Sequence, residues 1–400
     1  MTLTSSERIP LEQLFAVATG KRALTVGIPA AEGPARRFPL TPEGAAMLVA
    51  RDIDVRIEKG AGAAIHYTDT RYLRAGARIV SRAEAFACDI VICLSPLNPE
   101  DARRLRRGAL LLTVLDALMA SPAVTLLLER QVVTVALDLI ADGDGHAPFA
   151  DILNEIDGRA AMAVSSALLA DAEAGKGILL GGVAGIIPCE VTVIGAGIGG
   201  MSAARSAMGM GALVRMFDSD VYRLRRAAER LGSGVVTSSM HPRALVSALR
   251  TADVVVASQT NPPHAFDSDV VEGMKEGVIT ICLDGYGMPS ATPMFPSMPV
   301  ADLAAARRRI RHGDEADSPR VCYVNAAGTV PRTVAMALGN TLNGMFSDIV
   351  GCGGSTSNTL KINAGMRRAV CTFLGKPVNV VVARALGMRP VDINLLLQFS

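Results

Sequence analysis

Val191-Thr-Val-Ile-Gly195-Ala-Gly197-Ile-Gly-Gly200-Met-Ser-Ala-Ala204 is the stretch on which the fold turns. Val191, Val193 and Ile194, with the β-branched Thr192 among them, predict a short buried strand, and the spaced glycines predict a tight turn into an alanine-rich helix. Gly195 permits the turn, Gly197 leaves the backbone open to a close approach, and Gly200 lets the helix lie against the strand. The free N–H groups and positive end of that helix predict an anion site. Its candidate contacts are Gly195, Ala196, Gly197, Ile198, Gly199 and Gly200, with a diphosphate as the natural occupant.

Glycine-rich turns also arise by chance, so context decides. A second strand, Ala212-Leu-Val-Arg-Met-Phe217, follows the helix and ends in Asp218, close to the acidic position expected about 20 residues on. An aspartate there accepts hydrogen bonds from the ribose hydroxyls of an adenosine. Ser219 lies beside it, and Asp220 adds a second negative charge that disfavours a 2′-phosphate. The cofactor expected is NAD(H).

The chain has 400 residues, half of them hydrophobic and 20% charged, which predicts a globular protein of two or three domains. Lys+Arg 40 against Asp+Glu 38 leaves a net charge of +2, so neither nucleic acid nor an acidic membrane is expected as a partner. Arg307-Arg-Arg-Ile-Arg311-His312 runs straight into Asp314, Glu315 and Asp317 and reads as a self-compensating surface segment. Seven scattered cysteines without a CxxC pair fit a reducing, cytoplasmic location. The five histidines show no metal-ligand spacing, and no metal is expected. Residues 177–204 carry one charge, Glu190, but glycines and a proline divide the run into loop, strand and turn. A membrane span is not expected there.

Strands are predicted at 23–28, 55–58, 88–93, 110–115 and 132–137, with helices near 72–76, 82–87, 99–107 and 122–131 between them. Thr41 reads as an N-cap with Pro42 at the first helical position. A long helix at 152–174 leads through a glycine-rich approach into the glycine turn. Beyond it, helices at 221–231 and 242–251 alternate with strands at 234–238, 253–257, 278–282 and 320–324. The stretch 332–347 reads as a helix returning to the first half, 351–357 as a flexible loop, and 359–388 as largely helical. Residues 1–21 read as an N-terminal extension, in which Leu11, Leu14, Phe15 and Val17 are expected on one face of a short helix. The fold class expected is α/β, with two Rossmann-like, doubly wound parallel-sheet domains and a cleft between them. The first domain is discontinuous, 22–151 plus 332–400. The second, 152–331, is the NAD-binding domain.

Further pieces recur in order along the chain: Gly27-Ile-Pro29, Arg37 with Leu40-Thr-Pro42-Glu-Gly44, Glu155-Ile-Asp-Gly158-Arg159, Gly175-Lys-Gly-Ile-Leu-Leu-Gly-Gly-Val-Ala-Gly185, and Asn325 before Val330-Pro-Arg-Thr333. With the glycine turn and Asp218, they make the chain resemble the alanine dehydrogenase and nicotinamide nucleotide transhydrogenase family over about 22–400. The resemblance implies a homo-oligomer, dimer or hexamer. It places an arginine on the substrate carboxylate at Arg37, with Arg36 as a close second, and matches Asn325 to an asparagine at the nicotinamide end.

The chain also departs from the family. Where alanine dehydrogenases carry a lysine near a strand end, it has Cys93-Leu-Ser95-Pro96, so Ser95 takes the position. Where they carry the proton-transferring histidine, it has Asp116. Where they carry an aspartate after the late strand, it reads Leu283-Asp284-Gly-Tyr286. The glutamine-and-aspartate loop of transhydrogenases is not matched in His146-Ala-Pro-Phe-Ala-Asp151. The resemblance therefore implies the cofactor site and the arginine, with a changed acid/base set.

Hydride transfer to or from a nicotinamide leaves one proton to be handled by a group within hydrogen-bond reach. Asp116, Asp284 and Tyr286 are the candidates. Asp116 alternatively caps a helix, and the other two alternatively shape a turn with Gly285 and Gly287. Arg37 or Arg36 suits a carboxylate because a planar guanidinium grips both oxygens. Ser95 and His146 complete the candidate substrate site, with a surface loop as the alternative for His146; His264 stands near the nicotinamide loop on the same terms. Ser258, Gln259, Thr260 and Asn325 are further candidate cofactor contacts at strand ends. The function expected is an NAD-dependent oxidoreductase acting on a small carboxylate-bearing amine, imine or carbonyl compound. Two alternatives stay open: a redox-neutral cyclisation or elimination with tightly bound NAD, and a non-catalytic nucleotide-binding protein.

Overall fold

Runs such as Cys88-Asp-Ile-Val-Ile-Cys93 are apolar at nearly every position because both faces of the strand are covered. Ile90 and Ile92 enter one core with Val26, Ile57 and Leu110, while Val91 and Cys93 enter another with Phe86, Leu111 and Leu127. The second half repeats the pattern, with Val254 and Val256 on one side and Val255 and Ala257 on the other. Such two-sided burial belongs to parallel sheets flanked by helices.

The computed structural model describes residues 23–32, 38–258, 266, 268–283, 299–311 and 321–398. Among these, the first sheet contains β1 (Thr25–Ile28), β2 (Asp54–Glu58), β3 (Arg78–Val80), β4 (Ile90–Ile92), β5 (Leu110–Thr113) and β6 (Val133–Ala136). The second contains β7 (Glu190–Ile194), β8 (Leu213–Asp218), β9 (Val235–Ser239), β10 (Val254–Ala257), β11 (Ile279–Cys282), β12 (Pro299–Val300) and β13 (Val321–Val324). Late in the chain, β14 (Val370–Phe373) and β15 (Lys376–Pro377) rejoin the first sheet. Its order is β15-β14-β6-β5-β4-β1-β2-β3, and that of the second is β12-β13-β11-β10-β7-β8-β9. The second sheet is parallel throughout. Winding reverses between β1 and β4 in one sheet and between β7 and β10 in the other. Loops leaving the carboxyl ends of those strands are where ligands bind in this architecture.

The helix Pro148–Leu169 joins the halves: Phe149, Leu153 and Ile156 are buried in the first core, Ala160, Ala161 and Leu168 in the second. The helix Pro331–Gly351 returns the chain, burying Val334, Leu338, Leu342 and Phe346 in the first core. No helix of the described residues is long and apolar enough to cross a membrane.

Several sequence expectations need correction. The stretch 359–388 contains a β-hairpin, and β14 runs antiparallel to both β6 and β15. Its apolar Val370-Cys-Thr-Phe373 is too short to separate from a helix turn by periodicity. The short strand β3 lies outside the predicted strands. The loop expected at 351–357 gives way at Thr356 to the helix Thr356–Ile362, capped by Ser355. The strand expected at 110–115 ends at Thr113, and a short helix, Leu115–Met119, starts at once. The long helix begins four residues earlier than expected, at Pro148, which has no N–H to leave unsatisfied.

Candidate functional site

Gly195 ends β7 with φ at +97°, a conformation costly for any other residue, and its N–H donates to the Phe217 carbonyl at 2.7 Å. A Cβ on Gly200 would lie 1.8 Å from the Gly195 carbonyl oxygen, so only glycine lets the helix Ile198–Gly209 start this close to the strand. A Cβ on Gly197 would meet nothing within 4 Å, leaving the turn open on that side. The first intrahelical bond here is Met201 N–H to Gly197 C=O, so the N–H groups of Ile198, Gly199 and Gly200 precede it. Ser258, half-buried at the end of β10, donates its N–H to Ile194 and packs beside Gly195 across the winding reversal.

Asp218 is 3% exposed at the end of β8. Its Oδ2 accepts the Ala196 N–H at 2.6 Å, and Oδ1 accepts that of Asp220 at 2.8 Å. The carboxylate thus braces the glycine turn, and each oxygen keeps a second lone pair for a sugar hydroxyl. Ser219 is exposed on the rim. Asp220 caps the helix Val221–Leu231 through the N–H groups of Tyr222 and Arg223 and lies 3.6 Å from the Arg223 guanidinium. Its charge is therefore partly compensated, whereas Asp218 holds its charge in a buried position. Asn325, 3% exposed, ends β13 in the left-handed region (φ 61°, ψ 47°), which asparagine tolerates better than most residues.

On the first sheet, Ser95 is buried in the loop after β4. Its carbonyl accepts the Cys93 thiol at 3.5 Å, and burial pushes that thiol's pKa up to about 11, so Cys93 is no nucleophile near neutrality. Asp116 is half-buried in the first turn of Leu115–Met119. The Leu115 N–H is taken instead by Asp138, at 2.9 Å. His146 is 73% exposed, its Nδ1 3.0 Å from Asp142, whose hydrogen bond and charge raise the imidazole pKa. It faces solvent within its own loop. Asp142, Asp144 and His146 lie within 4.8 Å of one another, but the Arg368 guanidinium bonds the carbonyls of Ala141 and Asp142 beside them, which opposes a cation. Residues 1–21, Arg36, Arg37, Gln259, Thr260, His264, Asp284 and Tyr286 lie outside the described residues.

Two groups escaped sequence reading. Arg82 bonds Asp101 (2.6 Å), Glu58 (3.1 Å) and Glu32 (2.9 Å), and Glu58 also accepts the Ala30 N–H at 2.7 Å. This network pins the start of the loop after β1, the segment that leads to Arg36 and Arg37. Its members come from four separate places in the chain, so no local pattern announces them. Asp157, 6% exposed in the linking helix, accepts the Ala327 N–H at 2.7 Å. The available signal was helical spacing, since Asp157 falls four residues after Leu153 and four before Ala161, on the buried face.

Both halves of the chain match known proteins. A family model described as the alanine dehydrogenase/PNT N-terminal domain matches residues 27–154, and that of the C-terminal domain matches 161–284. The chain is 31% identical over 362 residues to an alanine dehydrogenase of Bilophila wadsworthia, covering 88% of this chain and 93% of that protein. It is 28% identical over 375 residues to an alanine dehydrogenase of Mycobacterium tuberculosis, covering 91% and 97%. Among solved structures, an L-alanine dehydrogenase superposes with TM-score 0.78 at 23% identity, over 91% of this chain and 99% of that one. A transhydrogenase from Sinorhizobium meliloti superposes with TM-score 0.69 at 16% identity, over 89% and 100%. With both halves of the chain matched, the protein belongs to the alanine dehydrogenase/PNT family of oxidoreductases.

Proposed function

We propose that the protein is an NAD-dependent dehydrogenase or imine reductase for a small carboxylate-bearing amine, imine or carbonyl compound other than alanine. The observation that carries the cofactor is the glycine turn at the winding reversal of the second sheet. Its open side at Gly197, its unbonded helix-start N–H groups and the buried Asp218 suit a dinucleotide. In this reading the backbone of 195–200 holds the diphosphate, Asp218 the adenosine ribose, and Ser258, Gln259, Thr260 and Asn325 the nicotinamide half. A bound nicotinamide supplies the hydride acceptor or donor.

The chain's own residues do the rest. Arg37, with Arg36 beside it, holds the carboxylate, and the Arg82 network steadies the base of that loop. One of Asp116, Asp284 or Tyr286 gives or takes the proton at the substrate nitrogen or oxygen. With Ser95 and Asp116 where alanine dehydrogenases carry lysine and histidine, the usual alanine chemistry lacks its acid/base pair.

Absorbance of the reduced nicotinamide tests this. Purified protein with NADH and a panel of 2-oxo acids plus ammonium, and of cyclic imino acids, is expected to oxidise NADH with at least one substrate. Arg37→Ala should raise KM for it by about 10- to 100-fold while leaving NADH affinity intact. Co-purified NAD with product formation but no net absorbance change would favour the redox-neutral alternative. Nucleotide binding without turnover across the panel would defeat the dehydrogenase reading.

A further inference from the structure

The two stretches that run between the sheets are tied to each other by one buried carboxylate. The linking helix leaves the first core at Ile156 and enters the second at Ala160, and the return path passes from Ala326 in the second core to Ala327 in the first. Asp157 stands at the first crossing. Its Oδ1 takes the N–H of Ala327, at the second crossing, at 2.7 Å and 170 residues away in sequence. An aspartate buried in mid-helix is costly unless its oxygens are bonded, so its presence calls for a purpose beyond helix formation or packing.

One residue further on, the same helix meets the diphosphate end of the candidate cofactor site. A Cβ on Gly158 would fall 2.1 Å from the Gly199 carbonyl oxygen and 2.9 Å from the Ala203 nitrogen. Consecutive residues of the linking helix thus reach both ends of that site, Gly158 against the glycine-turn helix and Asp157 against the turn after β13. That turn, Ala326–Thr329, is closed by Gly328 N–H to Asn325 C=O and Val330 N–H to Ala327 C=O, both at 3.0 Å. The Asn325 amide is packed against Gly328, where a Cβ would lie 2.3 Å from Nδ2.

Resting on the NAD(H) reading above, we propose that Asp157 is a positioning residue of the cofactor site. By holding the Ala327 N–H it fixes the turn, and with it the left-handed Asn325, at a set distance from the glycine turn. It acts on the nicotinamide end alone.

Calorimetry on the full chain with NADH and with ADP-ribose, which has the diphosphate and adenosine but no nicotinamide, tests this. Asp157→Ala is expected to weaken NADH about tenfold and leave ADP-ribose unchanged. Asp157→Asn, whose amide oxygen still accepts the Ala327 N–H, should stay within about threefold of wild type for both. In an Asn325→Ala background, Asp157→Ala should add no further loss for NADH. If Asp157→Ala does not fold, Asp157→Ser replaces it, its shorter side chain leaving the N–H unbonded. Equal weakening of both ligands, or of neither, overturns the proposal. A wild-type protein that binds neither ligand defeats the nucleotide reading itself.

Discussion

Asp89 shows how a single side chain ties strands together at the amino ends of the first sheet. It accepts the Thr25 N–H at 3.0 Å, the Thr25 hydroxyl at 2.6 Å and the Arg106 guanidinium at 2.6 Å. Burial pushes its pKa up, but the two Thr25 donors and the Arg106 charge outweigh that and hold it below the ordinary aspartate value. A lowered folded pKa means the stabilisation is complete above the unfolded value of about 3.9 and is lost as pH falls through the lower, folded one. Asp89→Asn is therefore expected to lower the denaturation midpoint at neutral pH and to converge with wild type in strong acid. Urea titrations across pH check this; parallel curves at all pH values would contradict it. Unlike Gly195 or Asp218, which advertise themselves by spacing, Asp89 has partners 64 and 17 residues away and could not be read from its neighbours.

Among the elements, the hairpin of β14 and β15 is the one whose sequence misleads. Its placement rests on cross-strand fit with β6, including a hydroxyl pair with no exposure to solvent: Thr134 and Thr372 lie 2.7 Å apart, and Thr372 donates to the Val132 carbonyl at 2.8 Å. Thr372→Val leaves the buried Thr134 hydroxyl without this partner and is expected to cost about 1–3 kcal/mol. Thr134→Val should cost less, because Thr372 keeps its bond to Val132. The double variant should be less destabilised than the sum of the singles. Equilibrium unfolding in urea measures all three, and additivity would show that the hydroxyls do not act as a pair.

At the scale of the whole molecule, the linking helix belongs to both cores, and Asp157 binds the two crossings together. The halves should therefore respond to cofactor as one unit. On the proposed NAD(H) reading, NADH at about 100 times its dissociation constant would add roughly 2.7 kcal/mol to the folded state. A single thermal transition shifted upward as a whole is the expected calorimetric result. Two transitions, with only one moved by NADH, would show that the shared helix does not couple the sheets.

What the sequence determined by itself was local chemistry that repeats with short periods. Continuous apolar runs marked most strands, glycine spacing marked the turn at Gly195–Gly200, and an acidic residue at the end of the next strand marked Asp218. Each follows from backbone geometry within some 25 residues. The antiparallel edge, the Arg82 network and the Asp157–Ala327 bond were decided only when distant segments met. Their energy comes from desolvated groups finding partners across the fold, and no stretch of chain taken alone encodes which partner that will be.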